Sequence, residues 1–301
     1  MLQGFHSSPA VLTKCLQSVT KDIPESVAYA DDLFLCTKLK HKDGHIPTHE
    51  QKMTHHLEQL DKLLKSVAAH NLKLKPEKMK IANELITILG YTLNRRKFYI
   101  PEAKVTGKTS TPTPKTFRQL KSFLCKTKYF TRFIYNSAGI SEPMQELLRN
   151  NKPFKWTKEA DDSFNLLKKR VANHIAVSAA DLTLPIHVSS DASKVSAAFI
   201  AYQILPSGEI NYLGCTSRLF TQAERKFNSY RLECLALLSG LAAFDYILRF
   251  AHNIFAVVDA KAMLFLRLSK LSSGYSFRVA ESLSYYPLTI HHLKREEQLI
   301  G

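Results

Sequence analysis

The chain has 301 residues, of which 45% are hydrophobic, so it is long enough for two or three domains with buried cores. Its 42 Lys and Arg residues outnumber its 26 Asp and Glu residues, which gives a formal net charge of +16. Such an excess predicts a polyanionic partner, because lysines and arginines that neutralise phosphates release condensed counterions. The apolar content argues against a disordered chain.

The five cysteines are widely spaced, without a CxxC pair or a Cys/His cluster, so neither a disulfide framework nor a zinc finger is predicted. Apolar runs fall short of the roughly 18 residues that a membrane span needs. The N-terminus lacks the basic, apolar and small-residue segments that follow one another in a signal peptide. We therefore expect an intracellular protein without a membrane partner, located in the cytoplasm, with the nucleus as an alternative.

The first third of the chain contains short apolar patterns that predict helices and strands in turn. Residues 9–20 carry apolar side chains three and four positions apart, which predicts a helix. The stretch SVAYADDLFLCT predicts a β-hairpin with Asp31 and Asp32 at or beside its turn. Residues 50–70 predict a polar amphipathic helix, and LITILGYTL and KFYIP predict short strands.

Residues 105–116, VTGKTSTPTPKT, are rich in Thr, Pro and Lys and are predicted to be a linker. The following segment, PKTFRQLKSFLCKTKYFTRFI, predicts a helix with an apolar face and a strongly basic remainder. After further helical segments, strands are predicted at LPIHVSS, AAFIAYQIL and INYLGCTSR, then a long helix and the strand NIFAVVD. Mixed strands followed by a helix and another strand predict an α/β or α+β domain.

The adjacent aspartates Asp31 and Asp32 have two interpretations. Asp is a favoured turn residue, so the pair could serve the turn alone. Alternatively, its carboxylate oxygens could hold Mg²⁺ against the phosphates of a substrate, as two-metal phosphoryl transfer requires.

Three further carboxylates lie at the ends of predicted elements. Asp191 and Asp259 each end an apolar strand, and Glu233 is predicted to lie in the first turn of the long helix. Each by itself would be a surface residue. If the strands are neighbours, however, the three side chains converge, and converging carboxylates usually mean a bound cation.

Several motifs resemble the Pol polyprotein of LTR retrotransposons, most closely the gypsy type, and more distantly retroviral reverse transcriptases. LQGFHSSP, with Gln3, Gly4 and Phe5, resembles the family segment LPQGFKNSP that lines the nucleotide and template pocket. YADD, from Tyr29 to Asp32, resembles the family's YxDD hairpin, in which the first aspartate is the firm metal ligand.

The later blocks follow in family order. Leu89, Gly90 and Tyr91 resemble the core of the primer-grip hairpin, and TFRQLKSFLCKTKYFTRFI resembles the start of the thumb and connection region. The DAS at Asp191, the segment around Glu233 and the VVDAKAM at Asp259 resemble the ribonuclease H blocks. Three glycine or histidine positions of the family differ here; Cys125, for example, replaces a glycine.

The resemblance implies three regions. Residues 1–104 would be a partial α+β reverse transcriptase palm, 105–178 a linker and helical thumb or connection region, and 179–301 a C-terminally truncated α/β ribonuclease H-like domain with a mixed sheet. We expect the first palm strand with its catalytic aspartate, and the fourth acidic residue of the ribonuclease H site, to lie outside this chain.

The implied activity is RNA-directed DNA synthesis together with ribonuclease H cleavage of RNA–DNA hybrids. Asp31, Asp32, Asp191, Glu233 and Asp259 would be catalytic residues and ligands of Mg²⁺, with Mn²⁺ as an alternative. Template-primer nucleic acid would contact Gln3, Gly4, Phe5, Tyr29, Leu89, Gly90, Tyr91, Lys121, Lys128 and Arg132.

We expect no DNA synthesis from this chain alone, because polymerisation would need the N-terminal part of the polymerase in a full-length polyprotein. The alternative is a degraded or host-retained copy that binds nucleic acid without catalysis.

Overall fold

The structure is a computed structural model that describes residues 7–38, 47–83, 85–94, 96–149, 153–259 and 274–292. The chain forms two compact units, residues 1–84 and residues 85–301. Within the described ranges, no helix is both long and apolar enough to cross a membrane.

The first unit consists of two helices and a hairpin, and its elements are α1 (Ser8–Thr20), β1 (Ser26–Tyr29), β2 (Asp32–Leu35), α2 (His49–Ala69) and a 3-10 turn (Pro76–Lys78). The helices predicted at 9–20 and 50–70 and the hairpin are thus confirmed. Val19 and Ile23 pack against Leu63 and Val67 to form the small core of this unit. The Ser66 hydroxyl also donates a 2.8 Å hydrogen bond to the Val19 carbonyl, which ties α2 to α1.

The second unit begins with a small antiparallel sheet and a group of helices. The strands are β3 (Leu85–Ile88), β4 (Tyr91–Asn94), β5 (Lys97–Tyr99) and β6 (Val177–Ser178), in the order β3-β4-β5-β6. The helices are α3 (Glu102–Thr109), α4 (Phe117–Thr127), α5 (Ser137–Arg149) and α6 (Lys158–Ala172), with a 3-10 turn at Lys128–Phe133. The strands predicted at LITILGYTL and KFYIP and the basic helix are confirmed.

The linker predicted at residues 105–116 is wrong in its first half, because α3 extends to Thr109. Val105 packs on the helical core, and Lys108 is only 4% exposed. The local composition, rich in Thr and Lys, did not indicate a packed helix, because its buried contacts come from α6 and from Phe123 of α4, which follow later in the chain.

The rest of the second unit is a mixed sheet covered by helices. Its strands are β7 (Ile186–Ala192), β8 (Ser196–Ile204), β9 (Ile210–Leu219), β10 (Ile254–Val258) and β11 (Leu288–His292), and its helices are α7 (Ser229–Ala243), α8 (Asp245–Leu248) and α9 (Tyr275–Ser284). The strand order is β11-β10-β7-β8-β9. β7, β8 and β9 are antiparallel, whereas β10 and β11 add in parallel. The predicted mixed sheet is confirmed, and the predicted long helix divides into α7 and α8.

α7 lies directly on the sheet because Gly240 faces Phe199. A Cβ atom built at Gly240 would come within 1.9 Å of the Phe199 ring, whereas one built at Gly107 in α3 would meet no atom within 4 Å. The two helical glycines therefore have opposite roles: Gly240 permits close packing, and Gly107 only weakens its helix.

Gly240→Ala is expected to destabilise the second unit by about 1–3 kcal/mol, the usual cost of overpacking. Gly107→Ala, the matched control, is expected to stabilise it by up to about 1 kcal/mol, since alanine favours the helix. Urea unfolding followed by circular dichroism measures both changes. Equal effects of the two substitutions would contradict the packing derived for α7.

Lys108 is a buried amine without a carboxylate neighbour among the described residues. Its ammonium donates a 2.5 Å hydrogen bond to the Phe123 carbonyl and lies 3.4 Å from the centre of the Phe123 ring. Burial, and secondarily the charge of Lys126, lowers the pKa of Lys108 to about 7. Because the unfolded chain keeps the ordinary lysine pKa, stability is expected to fall as pH drops from about 10 to about 7.

Lys108→Met removes this charge and keeps the unbranched stem. The variant is expected to exceed the parent protein in free energy of unfolding most clearly at or below about pH 7, with the difference shrinking toward about pH 10. Urea denaturation at a series of pH values gives the comparison. Lys115→Met, at an exposed position, serves as the control. A pH-independent difference for Lys108→Met would contradict the buried-amine interpretation.

Candidate active sites

The first candidate site is the tip of the β1–β2 hairpin. Tyr29 pairs with Asp32, so Ala30 and Asp31 form a two-residue turn in which Ala30 has a positive φ of 51°. Asp31 and Asp32 are both exposed, as is Tyr29. The prediction that the two aspartates lie at or beside a turn is confirmed. Their adjacent oxygens suit a hard divalent cation, but two carboxylates supply few of the six or more ligands that such an ion takes.

The second set is the β3–β4 turn. Leu89 and Gly90 have φ values of 49° and 83°, the pair of left-handed residues that a tight two-residue hairpin turn uses. The Gly90 carbonyl accepts hydrogen bonds from the Tyr129 hydroxyl and, at 3.1 Å, from the Lys104 ammonium. The rings of Tyr91 and Tyr129 stack with centroids 4.4 Å apart.

These contacts attach the predicted primer-grip turn to the helical region. The sequence patterns identified neither Lys104 nor Tyr129 as a partner of this turn. The only signal available was that Tyr129 lies among other aromatic residues of a basic segment. The turn is thus rigid, and the side chain of Leu89 stays half exposed at its tip.

The basic surface lies on α4 and the turn that follows. Leu120 and Phe123 face the core, while the cationic side chains on the other side are exposed; they are Lys115, Arg118, Lys121, Lys126, Lys128 and Arg132. Thr116 caps the helix by accepting a hydrogen bond from the Gln119 amide. A row of cations fixed on a rigid helix is an arrangement that can bind a phosphate backbone.

The third set is built by the mixed sheet. β10 pairs with β7 in parallel, with Ile254 opposite Ile186 and Val257 opposite Ser189. Asp191 lies near the carboxyl end of β7, and Asp259 directly follows β10. Extended two residues past Val257, the same register would set Asp259 opposite Asp191, and adjacent strands lie about 4.8 Å apart.

Glu233 lies on α7, which packs against β7 and β8. Its side chain is only 6% exposed. The prediction that Glu233 lies in the first turn of its helix is wrong, because α7 starts at Ser229 and has no acidic residue in its first turn. The Asn228 side chain caps the helix by accepting a 2.9 Å hydrogen bond from the Arg231 amide, and this earlier start moves Glu233 into the second turn.

The segment before α7 is held by arginines. Arg218 makes two 3.0 Å hydrogen bonds to the carboxylate of Glu224, and this pairing lowers the pKa of Glu224 to about 2. Arg225 reaches Glu142 of α5 at 3.2 Å. Both pairs restrain the start of the helix that carries Glu233.

Across the described ranges, no group of three His, Cys, Asp or Glu side chains is placed to hold a metal ion. Asp191 thus lies near the end of β7, Asp259 follows the neighbouring strand β10, and Glu233 lies on α7. The described residues among them form no preformed three-ligand centre. Gln3, Gly4 and Phe5, predicted to contact nucleotide and template, lie outside the described residues.

Two family profiles match the sequence. The family described as reverse transcriptase (RNA-dependent DNA polymerase) matches residues 1–93, and the family described as an RNase H-like domain found in reverse transcriptase matches residues 156–255.

Curated relatives include the retrovirus-related Pol polyprotein from transposon 412 of Drosophila melanogaster, which is 25% identical over 82% of this chain. The transposon Tf2-3 polyprotein of Schizosaccharomyces pombe is 19% identical over 97% of the chain. The chain spans about a fifth of the length of these relatives, 20% and 22% respectively.

Among solved structures, the foamy viral protease-reverse transcriptase in complex with RNA/DNA hybrid has a TM-score of 0.76 at 21% identity. The match covers 98% of this chain and 39% of the viral chain. The same viral protein in complex with dsDNA has a TM-score of 0.77 at 21% identity. Here the match covers 99% of this chain and 61% of the viral chain. At this identity the likeness establishes the fold. The two family matches show that the chain contains a reverse transcriptase region and an RNase H-like domain of reverse transcriptases, as its transposon Pol polyprotein relatives also indicate.

Proposed function

We propose that this region, in its full-length polyprotein, takes part in copying RNA into DNA and cleaves the RNA strand of RNA–DNA hybrids. The observation that supports the cleavage activity is the parallel pairing of β10 with β7, because the same register extended by two residues would set Asp259 opposite Asp191, and α7, which bears Glu233, packs against β7. The family membership supports the same activity.

Asp191, Glu233 and Asp259 would hold Mg²⁺, with Mn²⁺ as an alternative. Their donors fit such an ion, because carboxylate oxygens are the hard ligands that both cations prefer. Two aspartates on neighbouring strands also repel one another, and a cation between them removes that repulsion. When bound, the ion would stabilise negative charge on the scissile phosphate. In this proposal β7, the end of β10 and α7 would position the three side chains for the ion.

Asp31 and Asp32 would serve the polymerase in the same way, with Asp31 as the firmer ligand. Because both are exposed at a hairpin tip, further ligands have to come from other parts of the complete polymerase. We therefore expect no DNA synthesis from this chain by itself. Tyr29, Leu89, Gly90 and Tyr91 would position the primer and template.

The exposed basic surface of α4 would bind the phosphate backbone of the hybrid or of template-primer, with Lys121, Lys128 and Arg132 as contacts. This role follows from charge and exposure, and it would also serve the alternative, a nucleic-acid-binding module without catalysis. The experiments below separate the two.

Asp191→Asn is expected to abolish cleavage of a hybrid labelled on its RNA strand, in the presence of Mg²⁺ or Mn²⁺. Losing a partner that merely supports a metal ligand costs about 10–100-fold, so losing the ligand itself should cost roughly a hundredfold or more. Gel electrophoresis of the labelled RNA measures the rate. Asp162→Asn, at an exposed position of α6, should cleave like the parent protein.

Binding of Mn²⁺, followed by electron paramagnetic resonance, gives a readout that does not depend on turnover. The parent protein should bind the ion, and Asp191→Asn should bind it more weakly. If the parent protein neither cleaves hybrid nor binds Mn²⁺, the catalytic proposal fails and the non-catalytic alternative stands.

The basic surface makes a separate prediction about salt. The double variant Lys121→Gln/Lys128→Gln is expected to bind hybrid more weakly and to reduce the slope of log affinity against log salt by ~0.9 for each lost phosphate contact. Fluorescence anisotropy with a labelled hybrid at several salt concentrations measures this slope. The double variant Lys169→Gln/Arg170→Gln, at two exposed positions near the end of α6, is the charge-matched control. An unchanged slope in the double variant would place the hybrid elsewhere.

A further inference from the structure

The second unit contains an apolar cleft whose interior has no role in the proposed activities, although Leu89, Tyr91 and Arg132, proposed above to contact nucleic acid, belong to its lining. Its volume is about 480 Å³, within the range of sites that bind small molecules. The β3–β4 turn and β5 form one side, β6 and the residues after it form another, and α8 closes the third. Of the described residues, the side chains that line it do not include Asp191, Glu233 or Asp259.

The walls of this cleft are mainly carbon. Its lining side chains are mostly leucine, valine, alanine, isoleucine, phenylalanine and tyrosine. Leu89, Tyr246 and Phe250 at its border remain 50%, 48% and 59% exposed. A cluster of exposed apolar side chains around a concave surface commonly marks a binding site.

Arg132 is the one cation that lines the cleft among the described residues. Its guanidinium lies over the Tyr246 ring, 5.2 Å from the ring centre. No Asp or Glu in the described ranges comes within 4 Å of it, in contrast to Arg218 and Arg225, which both have carboxylate partners. As far as the chain is described, the charge is therefore held at the cleft without a neutralising carboxylate. A guanidinium binds carboxylates and sulfonates by charge-assisted hydrogen bonds.

We propose that this cleft binds a small amphiphilic organic anion, whose acidic group pairs with Arg132 and whose apolar body lies among Phe98, Phe133, Tyr246 and Phe250. Charge complementarity selects the anionic end, and the carbon walls select the apolar body. A nucleotide fits less well, because the polar edge of its base and its ribose hydroxyls would lose water against walls with few hydrogen-bonding groups.

The ligand would also touch the β3–β4 turn, since Leu89 and Tyr91 line the same cleft. Tyr91 stacks on Tyr129, which in turn holds the Gly90 carbonyl. An occupant of the cleft therefore packs against the side chains that fix this turn. The proposal does not depend on catalysis at the carboxylate sites.

Isothermal titration calorimetry with naphthalene-1-sulfonate tests the cleft, with 1-naphthalenemethanol as the uncharged probe of the same ring system. The sulfonate should bind more tightly than the alcohol. Arg132→Gln should weaken sulfonate binding roughly tenfold or more, the value of a hydrogen bond to a charged group, and should leave alcohol binding nearly unchanged.

Two further variants keep the test decisive. Ala179→Phe places a ring at the cleft wall and should weaken binding of both probes, whereas Arg170→Gln, exposed on α6, should change neither. Circular dichroism spectra and thermal unfolding establish that each variant is folded.

Three results would overturn the proposal. Sulfonate binding that survives Arg132→Gln would show that the guanidinium does not select the anion. Equal loss in Arg170→Gln would show non-specific attraction to a basic protein. Displacement of the sulfonate by a thymidine oligonucleotide, with the same dependence on Arg132 and Ala179, would make the occupant nucleic acid.

Discussion

The parallel pairing of β10 with β7 is the constraint on which the second unit depends. Parallel neighbours cannot be joined by a tight turn, so the chain must leave the sheet, cross one face and return. α7 and α8 make that crossing between β9 and β10. The same pairing therefore determines which strand end Asp259 follows, and the crossing itself carries Glu233 on α7.

Close packing of α7 sets the position of the remaining carboxylate. Gly240 lets the helix backbone approach Phe199, and the arginine pairs around Glu224 and Glu142 restrain the segment before it. The position of Glu233 is thus restrained by two sets of contacts. The later part of α7 packs on the sheet, and the ion pairs hold the segment that precedes the helix. A carboxylate buried in such a rigid setting loses its hydrating water, and a bound cation compensates for that loss.

Elements with a strong local pattern could be predicted from the sequence, and contacts between distant elements could not. The spacing of apolar residues in α1 and α4 and the short apolar runs on either side of Asp31 are local properties, so these elements could be predicted. The burial of Lys108 depends on helices that follow it, and the second-turn position of Glu233 depends on a cap at Asn228. The apolar cleft collects residues from positions 89 to 250, a combination that no local pattern contains.

The two carboxylate sets differ in how much of their environment this chain supplies. Asp31 and Asp32 project from a two-residue turn and are exposed, so their own unit provides the backbone geometry and few neighbouring ligands. Asp191, Glu233 and Asp259 belong to one sheet and its covering helix, all within the second unit. Metal-assisted cleavage requires a rigid scaffold that orients its ligands, and the proposed cleavage site would draw its three carboxylates from one such scaffold. In the proposed polymerase site, by contrast, the hairpin would contribute two ligands to a larger set.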